Sequence, residues 1–310
     1  MTEIREIATG LRFPEGPIAM PDGSVLLVEI ERGTLTRVSA DGKVEYVAKT
    51  GGGPNGAAMG PDGKVYICNN GGFQWSEVQG LLFPGAQPDD YTSGSIQRVD
   101  LATGEVETLY TEADGPEGKV RLCGPNDLVF DGHGGFWFTD HGKHRARDED
   151  RTGAYYAKAD GSLCKEVIFP LQGPNGIGLS PDGKKLYVAE TWTGRVWSFD
   201  VTAPGELGKG DAIFGHGGYL LAGLPGVQLL DSLAVDSEGN VCVATILNPG
   251  ITVVSPTGDV SHVPIPGDPL VTNICFGGPD LKTAYVTVSG TGKLLSMPWH
   301  CAGAPLHHLN

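Results

Sequence analysis

Long hydrophobic runs and an excess of positive charge are missing from this sequence of 310 residues. No apolar stretch approaches the ~18 residues of a membrane-spanning helix, and no charged-then-apolar leader opens the chain, so we expect a cytoplasmic protein with no membrane partner. The formal net charge is -15. Because phosphate binding requires a basic face, this charge argues against a nucleic-acid partner.

Cysteine pairs and serine-hydrolase motifs are missing as well. The six cysteines form no CxxC pair and no dense framework, so we expect reduced, mostly buried thiols and no zinc site. The chain has no GxSxG elbow and no Ser-His-Asp pattern, which excludes the serine hydrolases on motif grounds. Four histidines are expected to be surface or structural residues: His144, His216, His262 and His300.

Glycine and proline are abundant, whereas helical periodicity is absent. The chain contains 48 Gly and 22 Pro, which are spread as turn signals between short strands and are not gathered into a disordered tract. No long window has apolar residues at i, i+3, i+4 and i+7, so amphipathic helices are not expected. With 40% hydrophobic residues the chain can bury a substantial core. The sequence therefore predicts an all-β protein.

One pattern recurs along the whole chain. At 124–142 the sequence GPNDLVFDGHGGFWFTDHG begins with a Pro-Asn turn and continues as a strand, a Gly-rich turn and a second strand. Two close and three looser copies begin at Asn55, Asn175, Glu15, Asp231 and Asn273. Four strands in every ~40–50 residues are the signature of a propeller blade. Residues 1–310 are therefore predicted to form a single six-bladed β-propeller domain.

A lone strand and two insertions complete the predicted architecture. The segment 2–8 has no hairpin partner of its own and is expected to close the last blade beside Lys293–Pro298. Residues 73–92 interrupt blade two and are too apolar for a solvated linker, so we expect a lid over a pocket, the alternative being a packed interface. Residues 141–152 interrupt blade three with charged side chains.

Oxygen-bearing side chains stand at the start of every predicted blade. In a propeller, equivalent first residues of the innermost strands converge near the axis on one face. The six positions are Glu15, Asn55, Asn126, Asn175, Asp231 and Asn273. A single Pro-Asn is explained by the turn preference of asparagine. Together, however, carboxylates and amides without His or Cys form a cage of hard oxygens, and converging carboxylates need a cation, so the set predicts a central metal site suited to Ca²⁺.

These residues belong to longer motifs through which the chain resembles the SMP-30/gluconolactonase/LRE-like family of six-bladed propeller lactonases. The resemblance spans essentially the whole chain and rests on FPEGP (13–17), GPNDLVFD with FWFTD (124–140), GPNGIGLSPDGKKLYVAET (173–191) and TNICFGGPDLKTAYVT (272–287). It implies one divalent metal ion, most often Ca²⁺, with Mg²⁺, Mn²⁺ or Zn²⁺ as alternatives. The implied metal ligands are Glu15, Asn126, Asn175 and Asp231. The family usually has Asp-Gly in blade five, whereas this chain has Asp231-Ser232, so Ser232 either adds a hydroxyl to the site or changes the turn.

The resemblance also implies a reaction, the hydrolysis of a lactone to the hydroxy acid. The ion would stabilise the oxyanion that develops on the carbonyl, and Asp231 is the candidate general base for an attacking water, with direct attack by its carboxylate as the alternative. Asp127 is a candidate acceptor that orients an amide or a water. The candidate substrate contacts are Asn55, Asn273, Asp127, His141, Phe73, Trp75 and Trp192.

The sequence leaves three alternatives open. A sugar lactone needs polar contacts, whereas the aromatic wall candidates favour a less polar cyclic ester, so both substrate classes are retained; these candidates are Phe13, Phe73, Trp75, Phe83 and Trp192. The same ion could act on a phosphoryl oxygen in an organophosphate or other ester hydrolase. A non-enzymatic ligand-binding propeller is the third alternative, but it would lose Glu15 or Asp231 first, and both are present.

Overall fold

A computed structural model describes residues 3–310 of the protein. Short apolar strands separated by tight turns build six largely antiparallel sheets around one axis. Residue 2 of the predicted first strand lies outside the described residues. The innermost strand of each sheet contacts the innermost strands of two neighbouring sheets, and the sixth returns to the first. The sheets therefore form a closed ring, and the predicted all-β, six-bladed β-propeller is confirmed.

The first half of the chain supplies a lone strand and two blades. The lone strand is β1 (Arg5–Ala8). Blade one contains β2 (Pro14–Ala19), β3 (Val25–Glu29), β4 (Thr34–Val38) and β5 (Val44–Lys49). Blade two begins with β6 (Pro54–Met59) and β7 (Val65–Asn69), is interrupted by the hairpin β8 (Trp75–Val78) and β9 (Leu81–Pro84), and ends with β10 (Ser95–Val99) and β11 (Val106–Tyr110).

Blades three and four carry extra strands that the sequence pattern did not indicate. Blade three consists of β12 (Glu112–Gly115), β13 (Gly118–Arg121), β14 (Pro125–Phe130), β15 (Gly135–Asp140), β16 (Thr152–Lys158) and β17 (Cys164–Leu171). Its hairpin β12–β13 extends the outer edge beside β17. Blade four consists of β18 (Pro174–Leu179), β19 (Lys185–Glu190), β20 (Arg195–Ala203), β21 (Glu206–Leu207) and β22 (Tyr219–Gly223).

In the last blade, the first strand of the described chain pairs with its final strand. Blade five contains β23 (Leu229–Val235), β24 (Val241–Ile246), β25 (Gly250–Val254) and β26 (Val260–Pro264). Blade six contains β27 (Val271–Gly277), β28 (Thr283–Val288) and β29 (Lys293–Pro298), and β1 is its outermost strand. β1 runs antiparallel to β29, with Glu6 opposite Leu295. This pairing covers an edge that would otherwise be open.

Helices contribute almost nothing to the described part of the chain. Within residues 3–310 the structure has a 3₁₀ turn at Ala212–Phe214, and none of its helical segments has the length and hydropathy of a membrane-spanning helix. All six cysteines are free thiols and five of them are buried, as the sequence predicted.

The hydrophobic core lies between neighbouring blades. Between blades one and two, Ile18 and Val28 pack with Val65 and Ile67, and none of the four is more than 3% exposed. Complete burial of such a side chain stabilises the fold by roughly 1.5–3 kcal/mol. Because each blade is packed against a neighbour on both sides, every inner strand is held in a fixed position around the axis.

Glycines allow the inner strands of neighbouring blades to come close together. Gly16, Gly56 and Gly176 each follow the first polar residue of an inner strand. A Cβ atom on Gly56 would lie 2.5 Å from Asn126 O and 2.7 Å from Asp127 Cα. Side chains do not tolerate such distances to a packed backbone, so any larger residue would push blades two and three apart.

Gly56→Ala is expected to destabilise the protein by about 1–3 kcal/mol, because the added methyl group overlaps the backbone of blade three. Gly223→Ala is the matched control. Gly223 also lies in a strand, but a Cβ atom there has no neighbour within 4 Å, so its effect should stay within about 0.5 kcal/mol. Urea unfolding of both variants measures the difference, and equal destabilisation would show that contact with the next blade is not the reason.

Candidate functional site

Buried acceptors at the end of the second strand hold the start of the inner strand in four blades. Each is a carboxylate or amide oxygen that accepts a hydrogen bond from a backbone N–H just before the inner strand. The four pairs are Glu29 with Arg12 N (2.7 Å), Asn69 with Gly53 N (2.9 Å), Asp140 with Gly124 N (2.6 Å) and Glu190 with Gln172 N (2.8 Å). Because all four acceptors are buried, these bonds fix the direction in which the chain reaches the axis.

Every inner strand then has a break in its pairing register near its start. In blade two, Pro54 pairs with Asn69 and Ala57 with Ile67, so the two residues between them face a single partner residue. Such a bulge re-aims side chains. Aligning the six registers gives two rings of residues around the axis. The upper ring contains Glu15, Asn55, Asn126, Asn175, Asp231 and Thr272. The lower ring contains Gly16, Gly56, Asp127, Gly176, Ser232 and Asn273.

Blade six places a different residue in the upper ring from the one that the sequence predicted. Because Val271 pairs with Val288, Thr272 takes the upper-ring position and Asn273 falls in the lower ring. The assignment of Asn273 to the first position was therefore wrong by one residue, since this blade has no Pro-Asn turn to mark the register. Asn273 nevertheless contacts the centre, because its Nδ2 donates a hydrogen bond to Glu15 Oε2 at 2.8 Å.

Three buried carboxylates converge on the axis: Glu15 and Asp231 from the upper ring and Asp127 from the lower ring. No basic side chain among residues 3–310 is a main influence on the pKa values of these three carboxylates. Burial raises the pKa of Glu15 and of Asp231 above their usual ranges, and burial with repulsion from Glu15 raises the pKa of Asp127 to about 7. Without a bound cation, the folded protein keeps protons that the unfolded chain loses, so its stability should fall as the pH rises from about 4 to about 7.

The amides beside these carboxylates offer oxygen atoms to the same centre. Asn175 Nδ2 donates a hydrogen bond to Thr191 Oγ1 at 3.2 Å, which leaves Oδ1 on the other side of the amide. Asn126 Oδ1 is buried and has no hydrogen-bond partner among the described residues. An unpartnered buried oxygen costs about 1–3 kcal/mol. Carboxylate and amide oxygens of this kind fit Ca²⁺ or a similar hard divalent ion, which Glu15, Asn126, Asn175 and Asp231 would hold.

Ser232 adds a hydroxyl group to this centre. It is fully buried in the lower ring, and its Oγ lies 3.4 Å from Asn175 Oδ1, to which it donates a long hydrogen bond. Asp127 lies in the same ring, and its Oδ1 accepts the backbone N–H of Leu128 at 2.9 Å. The lower ring therefore supports the upper one with hydrogen-bonding groups in three blades and with glycine in the other three.

An apolar cavity of about 390 Å³ lies on the axis directly below the lower ring. Its walls come from the inner strands and include Leu128, Ile177, Leu233 and Ile274, while residues 304–310 line its other side. The two rings therefore separate this interior from the face at which the inner strands begin.

The apolar insertion in blade two extends across the face on which the upper ring lies. The ring of Trp75 in β8 lies 5.2 Å from that of Phe13 in blade one, and Leu82 N–H in β9 donates a hydrogen bond to Gly290 O in blade six at 2.9 Å. Phe73 packs edge-on against Trp75, with ring centroids 5.9 Å apart. The aromatic side chains of this insertion therefore pack mainly against one another and across two blades, which is a position suited to a lid.

A buried lysine, which no sequence pattern indicated, joins the two insertions. Lys143 is 1% exposed and belongs to the charged insertion of blade three. Its ammonium group donates hydrogen bonds to Gly72 O at 2.6 Å and Asn70 Oδ1 at 3.2 Å, and lies 4.2 Å from the centre of the Phe73 ring. Burial lowers the pKa of Lys143 to about 7. The hydrogen bonds of the Lys143 ammonium group thus attach the base of the apolar insertion to blade three, although burying this group in its charged form is costly.

The two predicted contacts that lie farther from the axis, His141 and Trp192, belong to one aromatic group with His144. The ring centroids of His141 and Trp192 are 5.5 Å apart, and those of His144 and Trp192 are 4.8 Å apart. Trp192 is 46% exposed, whereas His141 Nδ1 is buried without a partner among the described residues. Burial lowers the pKa of His141 to about 4, so its ring is neutral at pH 7. The group packs against Gly173, just before Asn175.

The fold and the oxygen-lined axis define the class of protein as a six-bladed propeller with a candidate cation centre at one end of its axis. A family model described as "SMP-30/Gluconolactonase/LRE-like region" matches residues 13–290. The chain therefore belongs to the SMP-30/gluconolactonase/LRE-like family.

Similar proteins agree with this assignment. A gluconolactonase from Zymomonas mobilis is 27% identical in sequence and aligns over 93% of this chain and 79% of its own length. The structure of a gluconolactonase from Xanthomonas campestris superposes with a TM-score of 0.72 at 22% identity and covers 96% of this chain and 89% of that one. The structure of a calcium-binding protein, regucalcin, from Agrobacterium tumefaciens has a TM-score of 0.71 at 18% identity, with 98% and 95% covered. At these identities the structural likeness shows the fold.

Lys143→Met is expected to change how stability depends on pH. In the folded protein Lys143 loses its proton at about pH 7, whereas a lysine in the unfolded chain keeps it to about pH 10.4. The wild-type protein therefore gains stability between these values as the pH rises. Since the variant lacks this gain, its stability relative to wild type should be greatest below pH 7 and should decline from pH 7 to pH 10.

Urea unfolding at several pH values measures this difference. Lys49→Met serves as the control, because Lys49 is exposed and its replacement should give a difference that does not vary with pH. The same flat profile for Lys143→Met would contradict the burial of a charged ammonium group.

Proposed function

We propose that this protein is a metal-dependent lactonase, which hydrolyses a cyclic ester to the corresponding hydroxy acid. The proposal is carried by one observation: Glu15, Asp127 and Asp231 share a buried centre that contains no basic partner. The unpartnered Asn126 Oδ1 beside them supports a cation there. Membership of the family and the gluconolactonase relatives support the reaction class. The calcium-binding neighbour supports Ca²⁺ as the ion.

Four residues would hold the ion: Glu15, Asn126, Asn175 and Asp231. When bound, a divalent ion supplies Lewis-acid stabilisation of the negative charge that develops on the ester carbonyl oxygen. Glu15 is held in place by hydrogen bonds that its Oε2 accepts from Asn273 Nδ2 at 2.8 Å and Gly16 N–H at 2.9 Å. These contacts make Glu15 an anchor of the centre and leave proton transfer to the other upper-ring carboxylate.

Asp231 is the proposed general base, which takes a proton from the attacking water. Hydrogen bonds from Asn175 and the backbone of Ser232 favour its ionised form, and so does a neighbouring cation. Only the ionised carboxylate accepts a proton, so the centre that binds the ion also prepares the base. Asp127 lies one ring lower and is proposed to orient these groups through its hydrogen bonds.

Among lactones we propose a hydroxylated, sugar-type substrate. Two polar groups on the upper-ring face, Asn70 Nδ2 and His141 Nδ1, are buried without a partner among the described residues. Groups of this type fix a polar ligand by hydrogen bonding to its hydroxyls. The aromatic side chains Phe73 and Trp75, which favoured an apolar substrate, are already packed against each other. Asn55 in the upper ring and Trp192 at the rim remain proposed substrate contacts.

The direct test is proton release from a panel of lactones after chelation and again after addition of Ca²⁺, Mg²⁺, Mn²⁺ or Zn²⁺. We expect activity to disappear on chelation and to return with metal. Glucono-δ-lactone should exceed δ-valerolactone in kcat/KM by at least about 10-fold, because unsatisfied polar groups discriminate against a substrate without hydroxyls. Absence of turnover with every metal would favour a binding propeller, and faster hydrolysis of a phosphotriester would favour an organophosphate hydrolase.

Asp231→Asn is expected to lower kcat by at least about 10²-fold, because the amide cannot accept the proton of the attacking water. The metal-free variant should be at least as stable as metal-free wild type at pH 7, since one of three mutually repelling carboxylates is gone. Asp280→Asn is the control: this exposed aspartate only holds a turn. Steady-state kinetics and thermal unfolding check both statements, and near-wild-type turnover of Asp231→Asn would remove it as the base.

A further inference from the structure

Blade five carries a second group of metal-ligating side chains, at the opposite end of its inner strand from Asp231. Asp236 follows directly after β23, roughly 16 Å along the strand from Asp231 at the usual rise per residue. One ligand atom from each of Asp236, His300 and Cys301 lies within 4.8 Å of the others. Asp236 and Cys301 are buried, and the side chain of His300 is 55% exposed. The group is therefore separate from the two rings and open to solvent on one side.

A second thiol, that of Cys242, lies beside Asp236. Cys242 Sγ lies 4.0 Å from Asp236 Oδ2, and His300 Nε2 lies 3.9 Å from the same oxygen. Bonds of about 2.0–2.3 Å from a tetrahedral zinc ion put its ligand atoms roughly 3.3–3.8 Å apart. The two contacts to Asp236 Oδ2 need movements of a few tenths of an ångström to reach this range. Cys242 Sγ lies more than 4.8 Å from at least one of the other ligand atoms and must move toward it by about 1 Å or more. We propose that Asp236, Cys242, His300 and Cys301 form a binding site for Zn²⁺, with both thiols releasing their protons to solvent on binding.

The equivalent turn in blade three shows that the residues around Asp236 are not required to form the turn. Asp131 stands at the same repeat position, and its Oδ1 accepts the N–H of His133 at 2.7 Å and of Gly135 at 3.0 Å. Asp236 Oδ1 accepts two backbone N–H groups in the same way. In blade three, however, the second oxygen accepts the Tyr156 hydroxyl at 2.8 Å. The turn therefore needs only the aspartate, and the sulfur and imidazole ligands around Asp236 are an addition specific to blade five.

The carboxylate of Asp236 is already oriented for this role. Its Oδ1 is fixed by the N–H groups of Glu238 at 3.0 Å and Asn240 at 2.9 Å, and Asn240 Nδ2 donates to Oδ2 at 2.9 Å. Ligating carboxylates in metal sites are characteristically held by such hydrogen bonds. No CxxC pattern marks this group, because the four proposed ligands come from three separate segments of the chain.

The site would fasten the segment after blade six to blade five. Ser237 N–H donates to Ala302 O at 2.8 Å, and Ala304 N–H donates to Val235 O at 3.0 Å. The residues that follow, 304–310, line the axial cavity. A Zn²⁺ ion shared by Asp236, Cys242 and the segment 300–301 would lock this segment in place, so its role is structural and does not depend on the proposed lactonase activity.

Titration of the reduced, full-length protein with Co²⁺ tests the proposal. Cobalt in a site with thiolate ligands gives a near-ultraviolet sulfur-to-metal charge-transfer band, which a centre made of oxygen ligands does not give. With Ca²⁺ present in excess to occupy the proposed oxygen-lined centre, we expect this band to saturate at one equivalent of Co²⁺ per chain and to disappear when Zn²⁺ is added. Absence of the band at saturating Co²⁺ would overturn the proposal.

Variants assign the band to its ligands. Cys301→Ser should abolish it, and His300→Gln, a change at a largely exposed side chain, should weaken Zn²⁺ binding by at least about 10-fold. Cys164→Ser is the control, since Cys164 is a buried strand cysteine of blade three and its loss should leave the band unchanged. A band that survives in both Cys301→Ser and Cys242→Ala would also overturn the proposal.

Discussion

Repulsion among Glu15, Asp127 and Asp231 is the interaction on which the arrangement of the axis depends. Burial makes each negative charge costly, and no basic side chain among the described residues offsets it. Carboxylates in this situation move apart, stay protonated or bind a cation. The propeller prevents the first outcome, because each inner strand is packed between two neighbours and cannot withdraw from the axis without opening two interfaces. The fold therefore holds the charges together and leaves protons and cations to compete for them.

Bulges, buried hydrogen-bond acceptors and glycines in the inner strands determine the geometry of the two rings. The bulge near the start of each inner strand directs the side chain of one residue per blade toward the axis, where these residues form the upper ring. Buried acceptors such as Glu29 and Asp140 hold the loop before the strand. Glycines in three blades of the lower ring allow the strands to approach, whereas Asp127, Ser232 and Asn273 add hydrogen bonds in the other three. The polar centre is consequently a property of the backbone repeat, and the side chains only decide what it binds.

Much of this organisation could be predicted from the sequence. The repeated strand-turn-strand pattern was sufficient for six blades, and the Pro-Asn turns marked the upper-ring position in blades two, three and four. Blade six lacks that turn, and the prediction placed Asn273 where Thr272 stands. The extra hairpin β12–β13 was not predicted, because its short polar strands pair only with the edge of blade three.

Other features depend on distances that no local pattern encodes. Lys143 is one charge in a run of charged residues, and only the folded structure shows that it is buried against Gly72 and Asn70. The group around Asp236 joins residues from both blade five and the segment after blade six, so cysteine spacing could not reveal it. In both cases the side chains are ordinary in sequence and become significant through the closure of the ring.

The shared backbone of the upper ring also has an evolutionary consequence. Because the same bulge presents one residue from each of six blades, single substitutions can alter the set of donor atoms without a change of fold. Thr272 occupies the position at which four other blades have an amide or a carboxylate that would bind the ion, and Asn55 offers a further independent position. Single substitutions are therefore sufficient for functional divergence within this architecture. A change in metal preference or substrate can precede any change in the scaffold.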